Sequence, residues 1–241
     1  MTDRPALHII CSDRARNGKT LLARLLTDWI LLGGGDPFVL DLDAPDAPLA
    51  ARHPDRSLAA DFSRVTGRVA VFDTIMNDAG RSHVLDLPAR DLDVFLSEAR
   101  KIGFLDAARE AGLEVVFLFM VDRSRKSVLK AREVSRAVAP CVLHPARNTY
   151  VGDLLDDDEV AELYLDLFVT GEIVLPKISA GAMATVEDPG FSFRDFVEGR
   201  IEAPSSFQQF ELLDFTNTVF EQLAGLRLRL DLDNLRDMGL I

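Results

Sequence analysis

One stretch of the chain, residues 7–45, constrains the fold more than any other. It reads as an apolar strand at residues 7–11, a polar loop at residues 12–17, an apolar helix from about residue 18 to 32, and a second strand at residues 38–42. A buried strand that leads through a short loop into an amphipathic helix is typical of a β-α-β unit, whose two strands lie parallel in one sheet. Three consecutive glycines end the helix, because glycine adopts the left-handed conformation at a helix C terminus without strain.

The same alternation of strands and helices continues beyond this unit. Further strands are predicted at residues 68–72, 83–87, 113–121, 141–143 and 172–175, and further helices at residues 90–111, 124–139, 153–169 and 205–226. This order predicts an α/β fold, a mostly parallel sheet flanked by helices on both faces as in three-layer Rossmann-like proteins. The 241 residues suffice for a single domain of this kind.

The connections between these elements are predicted with less regular structure. Residues 44–61 read as a loop with at most one short helix, and residues 144–150 read as a loop. The C-terminal portion, residues 151–241, is expected to be helical and to form a lid or an interface. Residues 188–202 alternate phenylalanine with charge and are expected to form a lid or interface segment. The phenylalanines of residues 191–220 are expected to supply core or dimer contacts, and the tail after residue 226 reads as helix or edge strand.

The charge balance limits the partners of the chain. The net charge is −12 at pH 7, so direct non-specific binding to DNA is not expected. No apolar run approaches the ~20 residues of a membrane span, and the N-terminal sequence MTDRPALHII lacks a signal-peptide core. Cys11 and Cys141 lie in apolar runs and are interpreted as buried, small hydrophobic residues. A reducing cytoplasm is the expected location.

The loop at residues 12–17 ends in Gly18-Lys19-Thr20, directly at the start of the predicted helix. A phosphate group needs backbone N–H donors, a helix N terminus and a cation, and this junction offers all three. Lys19 would reach the β- and γ-phosphates, and the Thr20 hydroxyl would hold Mg²⁺. The strict P-loop pattern fails, because it has glycine where this chain has Asp13. The alternative interpretation is an ordinary surface turn before a helix.

Acidic side chains follow the predicted strands. Asp41 and Asp43 end the second strand, and Asp86 ends the strand at residues 83–87. Asp122 and Asn148 follow later strands, so all five residues could converge on one rim with the Gly18-Lys19-Thr20 loop. Ligands of parallel sheets bind at the carboxyl ends of the strands, so Asp41, Asp43 and Asp86 could hold Mg²⁺, and Asp41 or Asp43 could orient an attacking water. For the Asp41–Asp43 pair the alternative is a solvated turn. Asp73 also ends an apolar run, but Asp86 is preferred because a clear helix follows it.

Together these segments resemble the deviant Walker A ATPases of the ParA/MinD superfamily. SDRARNGKT at residues 12–20 resembles the family's K-G-G-x-G-K-[ST] loop. VLDLDAP at residues 39–45 resembles its second-strand motif, which ends in D-x-D-P, and HVLDLPAR at residues 83–90 resembles its Walker B strand. The order and spacing match from about residue 7 to 150, and the nearest branch is that of the plasmid-encoded StbB/TraL or mobilisation proteins.

The resemblance implies ATP and Mg²⁺ as cofactors, a nucleotide-dependent homodimer and a protein partner. It places Mg²⁺ at Thr20, Asp43 and Asp86, and the nucleotide at Asp13, Arg14, Ala15, Arg16, Asn17, Gly18, Lys19, Thr20, Leu21 and Asn148. Arg14 stands where the family has a lysine that reaches the partner subunit's phosphates. Ala15 and Arg16 replace the family's paired glycines, at about a kcal/mol each if the loop needs positive φ there.

Three functions are therefore open. The preferred one is an ATPase that acts as a nucleotide-dependent dimeric switch in plasmid partition, mobilisation or cargo positioning, with Lys19, Arg14, Asp43 and Asp41 as its catalytic residues. The second is a scaffold or binding protein on the same fold, whose altered loop has weak or no hydrolysis. The third is a small-molecule kinase or ligase-like enzyme, for which the sequence offers no acceptor pocket.

Overall fold

The computed structural model describes residues 4–152, 158–165, 167, 171–237 and 239. Its strands are β1 (Ala6–Cys11), β2 (Phe38–Asp41), β3 (Ser57–Ala59), β4 (His83–Asp86), β5 (Glu114–Val121), β6 (Val142–Asn148) and β7 (Ile173–Leu175). Its α-helices are α1 (Lys19–Leu32), α2 (Val65–Asn77), α3 (Leu92–Lys101), α4 (Phe104–Glu110), α5 (Arg125–Val138), α6 (Asp158–Leu165), α7 (Ala180–Glu187), α8 (Phe193–Val197) and α9 (Ser206–Asp237). Short 3₁₀ turns lie at Ala50–Arg52, Pro54–Arg56 and Ala89–Asp91.

The seven strands form one sheet in the order β3-β2-β4-β1-β5-β6-β7. Every pairing between these strands is parallel. Their carboxyl ends therefore meet at one edge of the sheet, where Asp41 of β2 lies in register with Asp86 of β4. The predicted α/β fold with a mostly parallel sheet is confirmed.

Two hydrophobic layers, one on each face of the sheet, make up the core. On one face α2, α3, α4, α5 and α6 pack against the odd-numbered residues of β1 and β5, with Phe62, Phe95 and Phe117 fully buried. On the other face α1, α7, α8 and α9 cover the even-numbered residues, and Phe193 and Phe215 are buried there. Because side chains alternate across a strand, β1 and β5 serve both layers, and this explains their continuous apolar sequence.

The strand predicted at residues 68–72 is wrong. These residues belong to α2, where Val71, Phe72 and Ile75 face the core. The sequence RVAVF is rich in β-branched and aromatic residues, which favour strands, but packing against the sheet decides the conformation. Asp73 therefore lies within a helix and not at the end of a strand, which removes it as a competitor of Asp86.

Several predicted boundaries also differ from the structure. β6 continues to Asn148 and pairs with both β5 and β7, so most of the predicted loop at residues 144–150 is strand. The helix predicted at residues 90–111 is divided at Gly103, whose φ of +64° begins α4. Residues 44–61 contain β3 and two 3₁₀ turns. Part of the helix predicted at residues 153–169 lies outside the described residues.

The segment predicted as a lid or interface, residues 188–202, contributes three buried phenylalanines, Phe191, Phe193 and Phe196, to the core. Phe193 and Phe196 of α8 are buried against α1. The Asp28 carboxylate accepts the backbone N–H of Phe193 at 2.6 Å and so fixes the start of α8. In contrast, Phe207 and Phe210, expected as core or dimer residues, are exposed on α9.

The C-terminal helix is longer than the sequence predicted. α9 runs to Asp237 without a break, so the tail after residue 226 is helix and not an edge strand. Within the described parts of the chain, none of the helices combines the length and the apolar character that crossing a bilayer requires.

Candidate functional site

The junction between β1 and α1 exposes an uncapped helix N terminus. Gly18 precedes α1 with a φ of +101°, and no side chain caps the first turn of the helix. A Cβ atom at this position would lie 2.8 Å from Nδ2 of Asn148, so the loop approaches the end of β6 only because residue 18 is glycine. The free N–H groups and the helix dipole make this turn a favourable place for an anion.

Lys19 is buried at this junction, and its ammonium group contacts the loop at residues 12–17. Its Nζ atom donates hydrogen bonds to Oγ of Ser12 at 3.1 Å and to the carbonyl oxygen of Arg14 at 3.0 Å. Burial lowers the pKa of Lys19, and the carboxylate of Asp86 partly offsets this effect. The cation is therefore held by the loop itself and does not extend into solvent.

Thr20 and Asp86 connect the helix to the sheet. The Thr20 hydroxyl donates to Oδ2 of Asp86 at 2.6 Å, although the two residues are far apart in sequence. Burial raises the pKa of Asp86 to about 6, and Thr20 and Lys19 oppose the shift. A hydroxyl and a carboxylate oxygen are the kind of ligands that Mg²⁺ binds, so the donor set fits this ion.

The two carboxylates after β2 have different environments. Asp41 is fully buried, and its oxygens accept the backbone N–H groups of Asp43 at 3.0 Å, Leu49 at 2.7 Å and Ala50 at 3.1 Å. Asp43 is half-exposed and forms an ion pair with Arg90 at 2.7 Å. Asp41 thus holds the loop after β2 in place, whereas the Asp43 carboxylate is accessible at the rim of the sheet.

Arg14 is paired within its own chain. Its Nη1 atom lies 2.9 Å from Oδ2 of Asp122, and its Nε atom lies 3.8 Å from Oδ2 of Asp13. The other oxygen of Asp13 accepts the Ser127 hydroxyl at 2.6 Å, which directs this carboxylate towards α5. The guanidinium group is therefore engaged by a carboxylate at the end of β5.

Asp122 was expected at this rim without an assigned role, and Ser127 is the residue that the site prediction missed. Asp122 is buried and accepts the backbone N–H of Ser124 at 2.8 Å, and Ser127 donates to Asp13. The position of Asp122 follows from the sequence, because it directly follows the most hydrophobic predicted strand. The contacts of Asp122 with Arg14 and of Ser127 with Asp13 could not be predicted, because they depend on how α5 packs beside the loop.

The remaining residues of the predicted nucleotide site differ in how far they are buried. Asn17 is buried and donates to the carbonyl oxygen of Met120 at 3.0 Å. Leu21 is partly buried against the hydrophobic layer of α1 and α9. Asn148 ends β6 and accepts the backbone N–H of Tyr150 at 3.0 Å. Ala15 and Arg16 are exposed at the tip of the loop, and Arg16 has a φ of +62°.

The backbone at Arg16 provides a test of the loop conformation. A left-handed conformation costs a non-glycine residue about 1–2 kcal/mol, so Arg16→Gly is expected to leave the free energy of unfolding unchanged or raise it by up to ~1 kcal/mol. Ala15 does not have positive φ, so the matched variant Ala15→Gly should lower stability by ~0.5–1 kcal/mol through chain entropy. Urea denaturation measures both, and equal losses in the two variants would contradict the positive φ at Arg16.

The chain matches no model of a known protein family, and no curated protein at a significant level of similarity. It is similar in structure to a nucleotide-binding protein from Archaeoglobus fulgidus in complex with ADP, at 15% identity and a TM-score of 0.48 over 86% of this chain and 90% of that one. It is also similar to MinD of Aquifex aeolicus, at 14% identity and a TM-score of 0.47 over 91% and 97% of the two chains. A MinC:MinD cell division complex from Aquifex aeolicus gives 13% identity and 0.47 over 91% and 96%.

Proposed function

We propose that this protein binds Mg²⁺ and a nucleoside triphosphate, ATP by its resemblance to ParA/MinD ATPases, at the β1–α1 junction. The observation that carries the proposal is the 2.6 Å hydrogen bond between Thr20 and Asp86 beside the uncapped N terminus of α1. This contact joins the phosphate-binding turn of one element to the carboxylate of another. An ordinary surface turn before a helix gives no reason for a buried carboxylate with a raised pKa at that place.

The residues at the junction divide the work of binding. Backbone N–H groups of the loop and first turn would receive the phosphate oxygens, and Lys19 would neutralise part of their charge. Thr20 and Asp86 would hold Mg²⁺, which would neutralise the charge that develops between the β- and γ-phosphates. Asp43 is the better candidate for orienting a water, because the oxygens of Asp41 are used by backbone N–H groups.

The charge at the loop is compatible with a polyphosphate. Asp13, which stands in the place of a P-loop glycine, is turned towards Ser127 and lies near Arg14. The side chains of Ala15 and Arg16 are exposed to solvent, so neither is packed into the core beside the helix N terminus. Arg16 brings a further cation to the loop, and arginine binds phosphate oxygens in a bidentate manner.

Nucleotide binding with little or no turnover is the second candidate, and the pairing of Arg14 favours it. Arg14 would have to leave Asp122 before it could contact a phosphate in its own or a partner subunit. Asp43 is likewise held by Arg90 at 2.7 Å. With Arg14 and Asp43 held in these ion pairs, the site would bind phosphate through Lys19 and the backbone N–H groups. Arg14 and Asp43 would then not be in position for hydrolysis.

Calorimetry and a phosphate-release assay test both candidates on the wild-type protein. We expect saturable heat on titration with ATP in the presence of Mg²⁺, and weaker binding when EDTA removes the metal. Phosphate release well above a protein-free control would support the ATPase, and binding without release would support the second candidate. No binding at millimolar ATP would overturn both.

The finer proposal is a nucleotide-dependent homodimer that positions a plasmid or another cargo through a protein partner. The support for it is the sequence resemblance at residues 12–20, 39–45 and 83–90. Light scattering during size-exclusion chromatography tests the dimer. A mass that doubles with Mg²⁺ and a non-hydrolysable ATP analogue supports it, and an unchanged monomeric mass at saturating nucleotide contradicts it.

A further inference from the structure

The first turn of α9 exposes two phenylalanines to solvent. Phe207 is 70% exposed and Phe210 is 72% exposed, and no other large hydrophobic side chain among the described residues is exposed to this extent. The two lie three positions apart, so their side chains share one face of the helix. Single exposed hydrophobic residues are common on protein surfaces. Two neighbouring exposed aromatic side chains instead resemble the core of a protein–protein interface, where aromatic residues are enriched.

Hydrogen bonds fix the backbone that carries these two rings. Oγ of Ser205 accepts the N–H of Gln208 at 3.3 Å and so caps the helix. In the next turn, the carboxylate of Glu211 accepts the backbone N–H of Ser179 at 2.7 Å and the hydroxyl of the same residue at 2.6 Å. The phenylalanines are therefore presented on a preorganised turn, which reduces the entropy that would be lost when a partner binds.

The surface around the phenylalanines is acidic. Residues 201–226 contain four carboxylates and no lysine, arginine or histidine. Residues 178–193, which include the neighbouring helix α7, contain two carboxylates and likewise no cation. Asp214 and Glu221 are exposed, and neither forms an ion pair with a cation in the described parts of the chain. Their negative charge is therefore available to a partner.

The exposed aromatic and acidic side chains form one stripe along α9. Its members are exposed and recur at intervals of three and four residues, namely Phe207, Phe210, Asp214, Asn217 and Glu221. This is the spacing at which one helix packs lengthwise against another. A matching partner needs apolar side chains opposite the rings and cations opposite the carboxylates. Nucleic acid, an anionic membrane surface and a second copy of this chain, whose net charge is −12, all have the wrong sign of charge.

From these observations we propose that the stripe of α9 from Phe207 to Glu221 binds a basic amphipathic helix of another protein. The apolar residues of that helix would cover Phe207 and Phe210, and its lysines or arginines would pair with Asp214 and Glu221. The two rings would supply most of the affinity, and the carboxylates would select against acidic partners. The proposal does not rest on nucleotide binding, because the stripe shares no residue with the β1–α1 junction.

A synthetic amphipathic helix of leucine and lysine is the probe. It is about 15 residues long, because the stripe spans ~21 Å of helix. Fluorescence anisotropy of the labelled peptide measures its affinity for the nucleotide-free protein. We expect saturable binding, and binding at least about tenfold weaker for a peptide in which glutamate replaces every lysine. No saturation with the lysine peptide, or equal affinity for the two peptides, would overturn the proposal.

A pair of double variants tests the aromatic half of the stripe. Phe207→Ser/Phe210→Ser removes both anchors and should weaken binding of the lysine peptide by about tenfold or more. The matched control, Val65→Ser/Val69→Ser, removes two exposed apolar side chains from α2 and should change the affinity by less than about twofold. Equal affinities of the two variants would overturn the proposal. Circular dichroism establishes that each variant is folded, and the comparison of the two peptides on the wild-type protein decides the question if either is not.

A second pair of double variants tests the acidic half. Asp214→Lys/Glu221→Lys reverses two charges of the stripe and should also weaken binding by about tenfold or more. Asp73→Lys/Glu110→Lys makes the same change in net charge at exposed positions of α2 and α4. We expect this control to weaken binding by less than about threefold, through long-range electrostatics alone. Equal losses in the two variants would show that the peptide responds only to net charge and would overturn the proposal.

Two further measurements distinguish the other possible occupants of the stripe. Light scattering measures the mass of the nucleotide-free protein, and co-sedimentation measures its binding to vesicles of phosphatidylglycerol. We expect Phe207→Ser/Phe210→Ser to change neither result, which would support the proposal. Self-association or vesicle binding that this variant abolishes would assign the two rings to a second copy of the chain or to a membrane, and would overturn it.

Discussion

Asp86→Asn is expected to stabilise the nucleotide-free protein and to abolish the Mg²⁺ dependence of nucleotide binding. Burial raises the pKa of Asp86 from 3.8 to about 6, so at pH 7 the folded state contains an ionised, buried carboxylate. A raised pKa contributes stability that is fully present below the unfolded pKa and is lost as the pH rises through the folded one. Removing the charge should therefore raise the free energy of unfolding at pH 7 by on the order of 1–3 kcal/mol. An asparagine Oδ1 can still accept the Thr20 hydroxyl.

Urea denaturation at pH 5 and at pH 7.5 measures this effect. The stabilisation by Asp86→Asn should be larger at pH 7.5, because the wild-type carboxyl group is mostly protonated at pH 5. Asp43→Asn is the matched control, since Asp43 is half-exposed and paired with Arg90; its effect on stability should be small at both pH values. Destabilisation by Asp86→Asn, or an equal gain in the free energy of unfolding at the two pH values, would contradict the claim that the ionised Asp86 carboxylate destabilises the folded state.

The same pKa shift predicts how nucleotide binding depends on pH. Mg²⁺ binds the ionised carboxylate, so the affinity of the wild-type protein for Mg²⁺-ATP should fall as the pH decreases below about 6. The Asp86→Asn variant should bind ATP equally with Mg²⁺ and with EDTA. Calorimetric titrations between pH 5.5 and 7.5 would show both trends, and a variant that keeps the full effect of Mg²⁺ would exclude Asp86 as a metal ligand.

Lys19→Ala should have the largest effect on nucleotide affinity. The Lys19 ammonium is held by Ser12 and the carbonyl oxygen of Arg14, close to the N–H groups of the helix. Charge-assisted hydrogen bonds contribute about 1.5–3 kcal/mol each, so losing two phosphate contacts corresponds to at least a ~100-fold weaker affinity for ATP. Calorimetry measures the dissociation constant.

Lys130→Ala is the charge-matched control. Lys130 lies on α5, where it forms ion pairs with Asp93 at 2.8 Å and Glu133 at 2.9 Å. This variant removes the same charge from a position outside the β1–α1 junction, so its affinity for ATP should change less than about threefold by long-range electrostatics. Similar losses in the two variants would mean that Lys19 acts only through the net charge of the protein.

The fold could largely be predicted from the sequence because its central elements are governed by local pattern. β1 and β5 are mostly apolar runs, and α1 has helical spacing between the glycine that precedes it and the glycines that follow it. Residues 68–72 of α2 have the sequence pattern of a strand, because their β-branched and aromatic residues favour a strand locally, and only packing on the sheet selects the helix. The division of the predicted helix at Gly103 depends on how α3 and α4 fold back on the same layer.

The candidate site could be predicted in part. The motif spacing predicts Lys19, Thr20 and Asp86 as site residues, and the parallel sheet brings the ends of their elements together. The sequence could not distinguish the roles of Asp41 and Asp43, because the difference arises from the loop that folds back to donate N–H groups to Asp41. It also could not reveal that Arg14 pairs with Asp122, since that contact requires two distant loops to meet.

A crystal structure of the protein with Mg²⁺ and a non-hydrolysable ATP analogue tests the central claim most directly. The account predicts the triphosphate at the N terminus of α1, with its β- and γ-phosphates within hydrogen-bond distance of Nζ of Lys19. It also predicts the metal ion between the Thr20 hydroxyl and the Asp86 carboxylate, in place of their direct hydrogen bond. Crystals grown at saturating analogue that show the Thr20–Asp86 bond intact and no density at Lys19 would contradict it.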